Sequence, residues 1–218
     1  MPPLVLLHGF LGSRHDWKPV VESLSRPSIC LDLPGHGTCP DDFDLFGQIE
    51  RLGPIHLVGY SMGGRIALQY QAAFPHSVVS LTLLSAHLGL KTDEERKTRY
   101  ENDCALANEI RNSSIDDFLI RWYDQPLFRT LVSKMDICSM RRNQNKEGIA
   151  NCLIRFSLGL QRDYGASNST RALIAGEYDA KYRKLYEPFN PIIVPGAGHA
   201  IHLEEPVRLA RIFQEIIG

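Results

Sequence analysis

A serine stands between two glycines at Gly59-Tyr60-Ser61-Met62-Gly63, with the apolar run Ile55–Val58 before it and the helix-forming stretch Arg65–Tyr70 after it. A strand that turns sharply into a helix strains the backbone of its corner residue, and side chains two positions either side of that corner collide. Glycine at 59 and 63 removes the collisions. It leaves the Ser61 hydroxyl projecting at a helix N-terminus, where negative charge is favoured. The pattern occurs by chance in loops, but here the flanking strand and helix supply the context it needs.

A serine hydroxyl becomes reactive only when a base takes its proton, and that base needs an acceptor for its second ring nitrogen. Near the C-terminus the candidate bases are His199 and His202, and the candidate acids are Glu177 and Asp179. The run Gly196-Ala197-Gly198 allows a loop to bring His199 in closely, which favours it over His202. Asp179 comes later in its turn than Glu177, although it also reads as the N-cap of a helix beginning at Ala180. The backbone N–H groups of Phe10, in His8-Gly9-Phe10, and of Met62 are the expected donors to a developing oxyanion. His36, inside Asp32-Leu33-Pro34-Gly35-His36-Gly37, reads as structural.

The elements that must hold these groups follow from hydrophobic pattern. Strands are expected at Leu4–Leu7, Ile29–Leu31, Ile55–Val58, Val78–Ser85, Arg171–Gly176 and Pro191–Pro195. Amphipathic helices are expected through Trp17, Val20, Val21 and Leu24, through Phe43, Phe46, Ile49 and Leu52, and through Val207, Ala210 and Phe213. From His87 to Asn168 strand-like runs vanish. Capping signals stand at Thr92-x-x-Glu95 and Ser114-x-x-Asp117, and helical stripes at Ile115, Phe118, Leu119 and Trp122 and at Ile149–Leu160. Strand–helix alternation on either side of one helical insertion argues a mostly parallel, doubly wound α/β sheet. Residues 1–86 and 169–218 form its core, and 87–168 form a cap over the carboxyl ends of the strands.

The chain has 218 residues, 44% hydrophobic and 22% charged, a size and balance that suit one domain. A net charge of −1 argues against a nucleic-acid or anionic-membrane partner. Leu4–Leu7 is too short to span a membrane and has no basic region before it. Cys30, Cys39, Cys104, Cys138 and Cys152 are an odd, scattered set, which favours reduced thiols in the cytoplasm over disulfides or a zinc site. No metal or organic cofactor is implied, and nothing in the pattern gives an oligomeric state.

Serine, then acid, then histidine, each after a strand, is the order of the α/β-hydrolases, which the chain resembles. Within them it is similar to the 2-succinyl-6-hydroxy-2,4-cyclohexadiene-1-carboxylate (SHCHC) synthases of menaquinone biosynthesis. The matching runs are His8-Gly9-Phe10 with Asp16-Trp17, Asp32–Gly37, Gly59–Arg65, Trp122-Tyr123-Asp124-Gln125-Pro126, Met140-Arg141-Arg142-Asn143-Gln144-Asn145, Gly176–Lys181 and Gly196–His199. Many of that family carry a leading pair of strands before the His-Gly-Phe strand; here the chain starts almost at that strand, so a smaller sheet is expected, with an edge strand either exposed or covered by a neighbour.

The resemblance implies a lyase that eliminates pyruvate from a small tricarboxylate, with Ser61 acting as a base through His199 and Asp179. It implies Arg65, Arg99 and Arg141 as carboxylate ligands, a role suited to the planar guanidinium, and Tyr60, Trp122, Tyr123 and His87 as pocket residues. Two other readings remain: a serine esterase or C–C bond hydrolase of the same fold, and a ligand-binding protein that has lost catalysis.

Overall fold

The computed structural model describes residues 1–165 and 171–218, so the expected junction of cap and core at 168/169 lies outside the described residues. Among the described residues six strands form one sheet: β1 (Leu4–Leu7), β2 (Ser28–Leu31), β3 (Ile55–Tyr60), β4 (Val78–Leu84), β5 (Arg171–Gly176) and β6 (Ile192–Val194). Their order is β2-β1-β3-β4-β5-β6, with every neighbouring pair parallel. β1 and β3 are buried along their whole length, which is why they read as unbroken apolar runs instead of alternating ones. β2, half-buried throughout, is one edge of the sheet.

This order puts the reversal of winding between β1 and β3. The chain steps from β1 out to β2, returns to the other side of β1 as β3, and then winds away to β6. Leu7 pairs with Gly59, so the loop after β1 and the turn after β3 leave the sheet side by side. Loops on either side of such a reversal diverge and leave a crevice at the carboxyl ends of the strands.

The helices are α1 (Lys18–Val21), α2 (Leu45–Glu50), α3 (Met62–Ala73), α4 (Asp93–Asn112), α5 (Ile115–Tyr123), α6 (Lys134–Arg141), α7 (Lys146–Arg155), α8 (Ala180–Tyr186), α9 (Ile201–Glu204) and α10 (Pro206–Ile217). α3 packs on β3 and β4, and α8 on β5. Helices α4–α7 fill the interval between β4 and β5. Thr92 and Glu95 close both halves of the expected capping box at the start of α4. Ser114 caps α5 through the Asp117 N–H, without a return bond from Asp117.

Two expected helices are shorter than their apolar spacing suggests. The Trp17–Leu24 stripe is split into a 3₁₀ turn, Arg14–Trp17, and the four residues of α1. Pro19, in the first turn of α1, has no N–H with which to carry helical bonding back across the junction. Beyond Val21 the bonds tighten to Leu24 N–H on Val21 O, and the helix ends. The Ile149–Leu160 stripe likewise breaks after Arg155. Leu158–Leu160 forms a separate 3₁₀ turn capped by Ser157, and Gly159 there lies so close to α4 that a Cβ would strike the Arg96 carbonyl. Among the described residues no helix is long and apolar enough to cross a membrane.

Candidate active site

Ser61 has φ +50° and ψ −108°, a region non-glycine residues rarely occupy. The strain is held from both sides. A Cβ on Gly59 would come within 2.5 Å of the Gly63 carbonyl oxygen and of Gly64 backbone atoms. A Cβ on Gly63 would strike the His8 carbonyl oxygen, so this glycine is required by the neighbouring β1 loop and not by the turn itself. The Ser61 hydroxyl makes no hydrogen bond among the described residues, and neither do the N–H groups of Phe10 and Met62. All three residues line one cavity of about 600 Å³.

Two buried histidines brace the β1 loop. His36 Nε2 accepts the Leu11 N–H at 3.2 Å while its Nδ1 bonds the Pro34 carbonyl at 3.1 Å. His8 Nε2 accepts the Leu33 N–H at 3.0 Å, and its Nδ1 bonds the Gly9 carbonyl at 2.7 Å. Each ring therefore carries its proton on Nδ1 and is neutral, and burial pushes both pKa values down to about 3. His36 ties the Asp32–Gly37 loop to the loop bearing Phe10.

His199 follows β6 and Asp179 follows β5. The His199 Nδ1–H donates to Asp179 Oδ2 at 2.8 Å, with both side chains buried. Asp179 Oδ1 meanwhile accepts the Tyr182 N–H at 3.3 Å and caps α8, so the two readings of this residue hold together, one oxygen for each. Burial alone would raise the Asp179 pKa. The hydrogen bond and charge of His199 outweigh it, together with Ser85 and the Tyr182 N–H, and hold the carboxyl below its usual value. The Ser85 hydroxyl is buried near Asp179 without closing a bond of ordinary geometry. Tyr186 fixes α8 in place: its hydroxyl accepts the Ala86 N–H at 2.7 Å and donates to the Ala86 carbonyl at 2.6 Å. Glu177, the rival acid, instead accepts the Gly196 N–H at 2.9 Å and holds the loop that carries His199.

Phe10, Tyr60, Ser61, Met62, Arg65, His87, Arg99, Trp122, Tyr123, Arg141 and His199 all face the same cavity, and Asp179 stands behind His199. Arg65 is buried with its guanidinium donating to the Phe156 carbonyl. Burial, with the nearby charge of Arg99, lowers its pKa to about 10, so it stays cationic at neutral pH. Arg99 pairs with buried Asp103 at 2.9 Å, and Asp103 also accepts the Ser157 hydroxyl at 2.7 Å. Arg141 crosses from α6 to the core and pairs with Asp16 at 2.5 Å, its guanidinium lying 5.2 Å from the centre of the Tyr123 ring. Trp122 packs edge-on against Phe10 at 5.2 Å between centroids. Burial, then the charges of Lys181, Arg99 and Arg65, push His87 down to about 4, so it is neutral.

Other lining residues carry charge that spacing alone does not reveal. Lys181 makes no ion pair among the described residues, and burial together with Arg99 lowers its pKa. Its position two residues past Asp179, on the first turn of α8, is the signal that could have marked it. Arg121 pairs with Glu109 at 2.6 Å. Among the described residues the wall thus holds five cationic side chains (Arg65, Arg99, Arg121, Arg141 and Lys181) against three carboxylates (Asp16, Asp103 and Glu109). Among the described residues Arg99 pairs with Asp103 while Arg65 and Lys181 make no ion pair, although the charge of Asp179 reaches Lys181, and such a net positive region attracts anions. No cluster of three or more metal-ligating side chains occurs among the described residues.

Residues 4–212 match the model of the alpha/beta hydrolase family. A Yersinia enterocolitica protein named 2-succinyl-6-hydroxy-2,4-cyclohexadiene-1-carboxylate synthase is 34% identical, over 97% of this chain and 85% of the relative. A Klebsiella pneumoniae protein of the same name is 31% identical over 100% of this chain and 94% of its own. Among solved structures, MenH from S. aureus superposes with a TM-score of 0.86 at 25% identity, covering 99% of this chain and 93% of that one.

Proposed function

The chain belongs to the alpha/beta hydrolase family and, within it, to the SHCHC synthases, and from that premise we propose that Ser61, His199 and Asp179 carry out a proton abstraction that releases pyruvate. The enzyme is a lyase of menaquinone biosynthesis. Its substrate is 2-succinyl-5-enolpyruvyl-6-hydroxy-3-cyclohexene-1-carboxylate.

Asp179 holds the His199 proton on Nδ1 and leaves Nε2 free to accept the Ser61 hydroxyl proton. As that proton moves, the serine oxygen takes a proton from the carbon next to the succinyl ketone. The electron pair left behind becomes an enolate, whose oxygen is held by the N–H groups of Phe10 and Met62. Each such donor contributes roughly 3–4 kcal/mol to lowering a barrier in measured cases. The enolate then collapses through the ring, the bond to the enolpyruvyl oxygen breaks, and the leaving enolate takes up a proton to become pyruvate. No bond forms between serine and substrate.

The observation that carries this reading is the surplus of cationic side chains around a serine whose hydroxyl has no partner among the described residues. Arg65, Arg99, Lys181 and Arg141 supply partners for a tricarboxylate, and Tyr60, Trp122, Tyr123 and His87 shape the cavity around it. Residues 87–168 act as the cap that carries Arg99 and Arg141 to the site. All five cysteines are free, which supports a cytoplasmic location.

The test is pyruvate release, with the substrate generated in situ from isochorismate and 2-oxoglutarate. Ser61→Ala should abolish release while the protein remains folded. Undiminished release by that variant would eliminate the base role. An esterase built on the same three residues would instead accumulate an acyl-enzyme with nitrophenyl esters and would not need Arg65.

A further inference from the structure

Tyr182, in the first turn of α8, lines the cavity and is 8% exposed, and the mechanism gives it no task. Its hydroxyl makes no hydrogen bond among the described residues, yet it is not one of the polar atoms cut off from the surface. Two other buried tyrosines show the alternatives. Tyr186 spends its hydroxyl on both polar groups of Ala86, and the Tyr70 hydroxyl is sealed away from any ligand. The Tyr182 hydroxyl is open to the cavity with its bonds still to make. A molecule that displaces water from the cavity must replace those bonds, or the hydroxyl is left unsatisfied at a cost.

The ring is held in place. Its centroid lies 5.2 Å from that of His199 and 6.1 Å from that of Tyr186, and the Lys181 ammonium stands 5.5 Å from the ring centre. Its backbone N–H is the one that Asp179 Oδ1 accepts, so the residue that steadies the acid of the site also carries this hydroxyl into it. Burial raises the phenol pKa to about 12, although the charges of Arg65 and Arg99 pull the other way. The hydroxyl therefore keeps its proton at neutral pH and is available as a donor. Guanidinium groups are donors only, and neither Arg65 nor Arg99 bonds the phenol oxygen. The phenol proton and the two cations thus suit the same partner, an anionic acceptor. The ketone oxygen is taken by the N–H groups of Phe10 and Met62 in the mechanism above, which leaves a carboxylate.

We propose that the Tyr182 hydroxyl is a substrate-binding group that donates a hydrogen bond to the carboxylate held by Arg65. The identity of that ligand rests on the reading of the chain as an SHCHC synthase. Arg65 supplies the charge. The phenol, fixed between His199 and Tyr186, supplies a second direction of approach, so the carboxylate is located relative to the imidazole that drives the reaction.

Tyr182→Phe keeps the ring on His199 and the backbone cap on Asp179 and removes the hydroxyl alone. The variant should have an unchanged Tm and kcat, while KM for pyruvate release rises about tenfold, the factor produced by losing one hydrogen bond to a charged group. A residue that served only to pack His199 would leave KM unmoved. Because the hydroxyl and Arg65 act on one carboxylate, their losses should not multiply. In an Arg65→Ala background, Tyr182→Phe should raise KM by less than about threefold. An unchanged KM in the single variant, or a full tenfold loss with Arg65 already absent, overturns the proposal. Should either variant fail to fold, Ser61→Ala still decides, because it holds the substrate without turning it over. There the Tyr182 Cζ resonance should move when the substrate is added, and a resonance that stays put is a refutation. A wild type that releases no pyruvate while that resonance moves would undo the functional reading and leave the hydrogen bond standing.

Discussion

Asp179→Asn separates the two tasks that one carboxylate performs. Asn keeps an oxygen for the Tyr182 N–H, now 3.3 Å from Oδ1, and Asn and Asp are comparable N-caps, so α8 should form as before. At the other oxygen an amide N–H₂ replaces the acceptor that His199 Nδ1 meets at 2.8 Å. The imidazole must then turn its lone pair to Nδ1 and its proton to Nε2, the wrong way round to accept from Ser61. By analogy with the same change in serine-protease triads the rate should fall about 10⁴-fold, roughly 5 kcal/mol of barrier. Asp179→Ala should lose a similar factor in rate and, in addition, about 1 kcal/mol of stability with the cap. The pH dependence also differs. Because the folded-state pKa of Asp179 is depressed, its contribution to stability is present above the unfolded value and lost as pH falls through the folded one. The Asn variant lacks that component. The assays are single-turnover pyruvate release and urea unfolding of wild type, Asn and Ala proteins across the acid range. Retention of more than about a tenth of wild-type activity by Asp179→Asn would refute the tautomer argument, since a change in tautomer cannot be partial at a buried site.

Other outcomes follow from the same structure. Arg65→Ala leaves the Phe156 carbonyl without its donor and removes a buried cation; we expect a loss of about 1–3 kcal/mol of stability and a KM at least tenfold higher, read by unfolding and by substrate titration. Gly63→Ala drives a methyl into the His8 carbonyl and should cost about 1–3 kcal/mol or more, seen as a lowered Tm; a variant as stable as wild type would mean the β1 loop can retreat. His8, His36 and His202 are buried neutral, with pKa values of about 3 against an unfolded value near 6.5. Between those limits the unfolded chain binds more protons, so stability falls as pH drops, by up to about 2 kcal/mol per histidine at about pH 5. Thermal melts should show this slope, shallower in His202→Phe, and a flat profile would contradict the neutral rings.

What was legible in the residues is what short-range forces decide. Gly59 before Ser61 follows from backbone sterics within one turn, the Thr92–Glu95 box from hydrogen bonds three residues apart, and the six strands from the apolar runs that a sheet buried on both faces requires, whereas Gly63 is held to glycine by the distant β1 loop. Helix lengths were less legible, because Pro19 and the close approach of Gly159 to α4 override an apolar stripe that continues past them. The environment of each charge belonged wholly to the tertiary structure. Arg141 finds Asp16 across 125 positions, Arg65 finds the Phe156 carbonyl across 91, and Tyr186 clamps Ala86 across 100. His202 reads in the sequence as a second candidate base, and only its burial between Trp17 and Tyr60 makes it a neutral ring, without a hydrogen-bond partner among the described residues. Local bonding follows from neighbours along the chain, but desolvation and ion pairing depend on which distant segments meet, and residue type alone does not encode that.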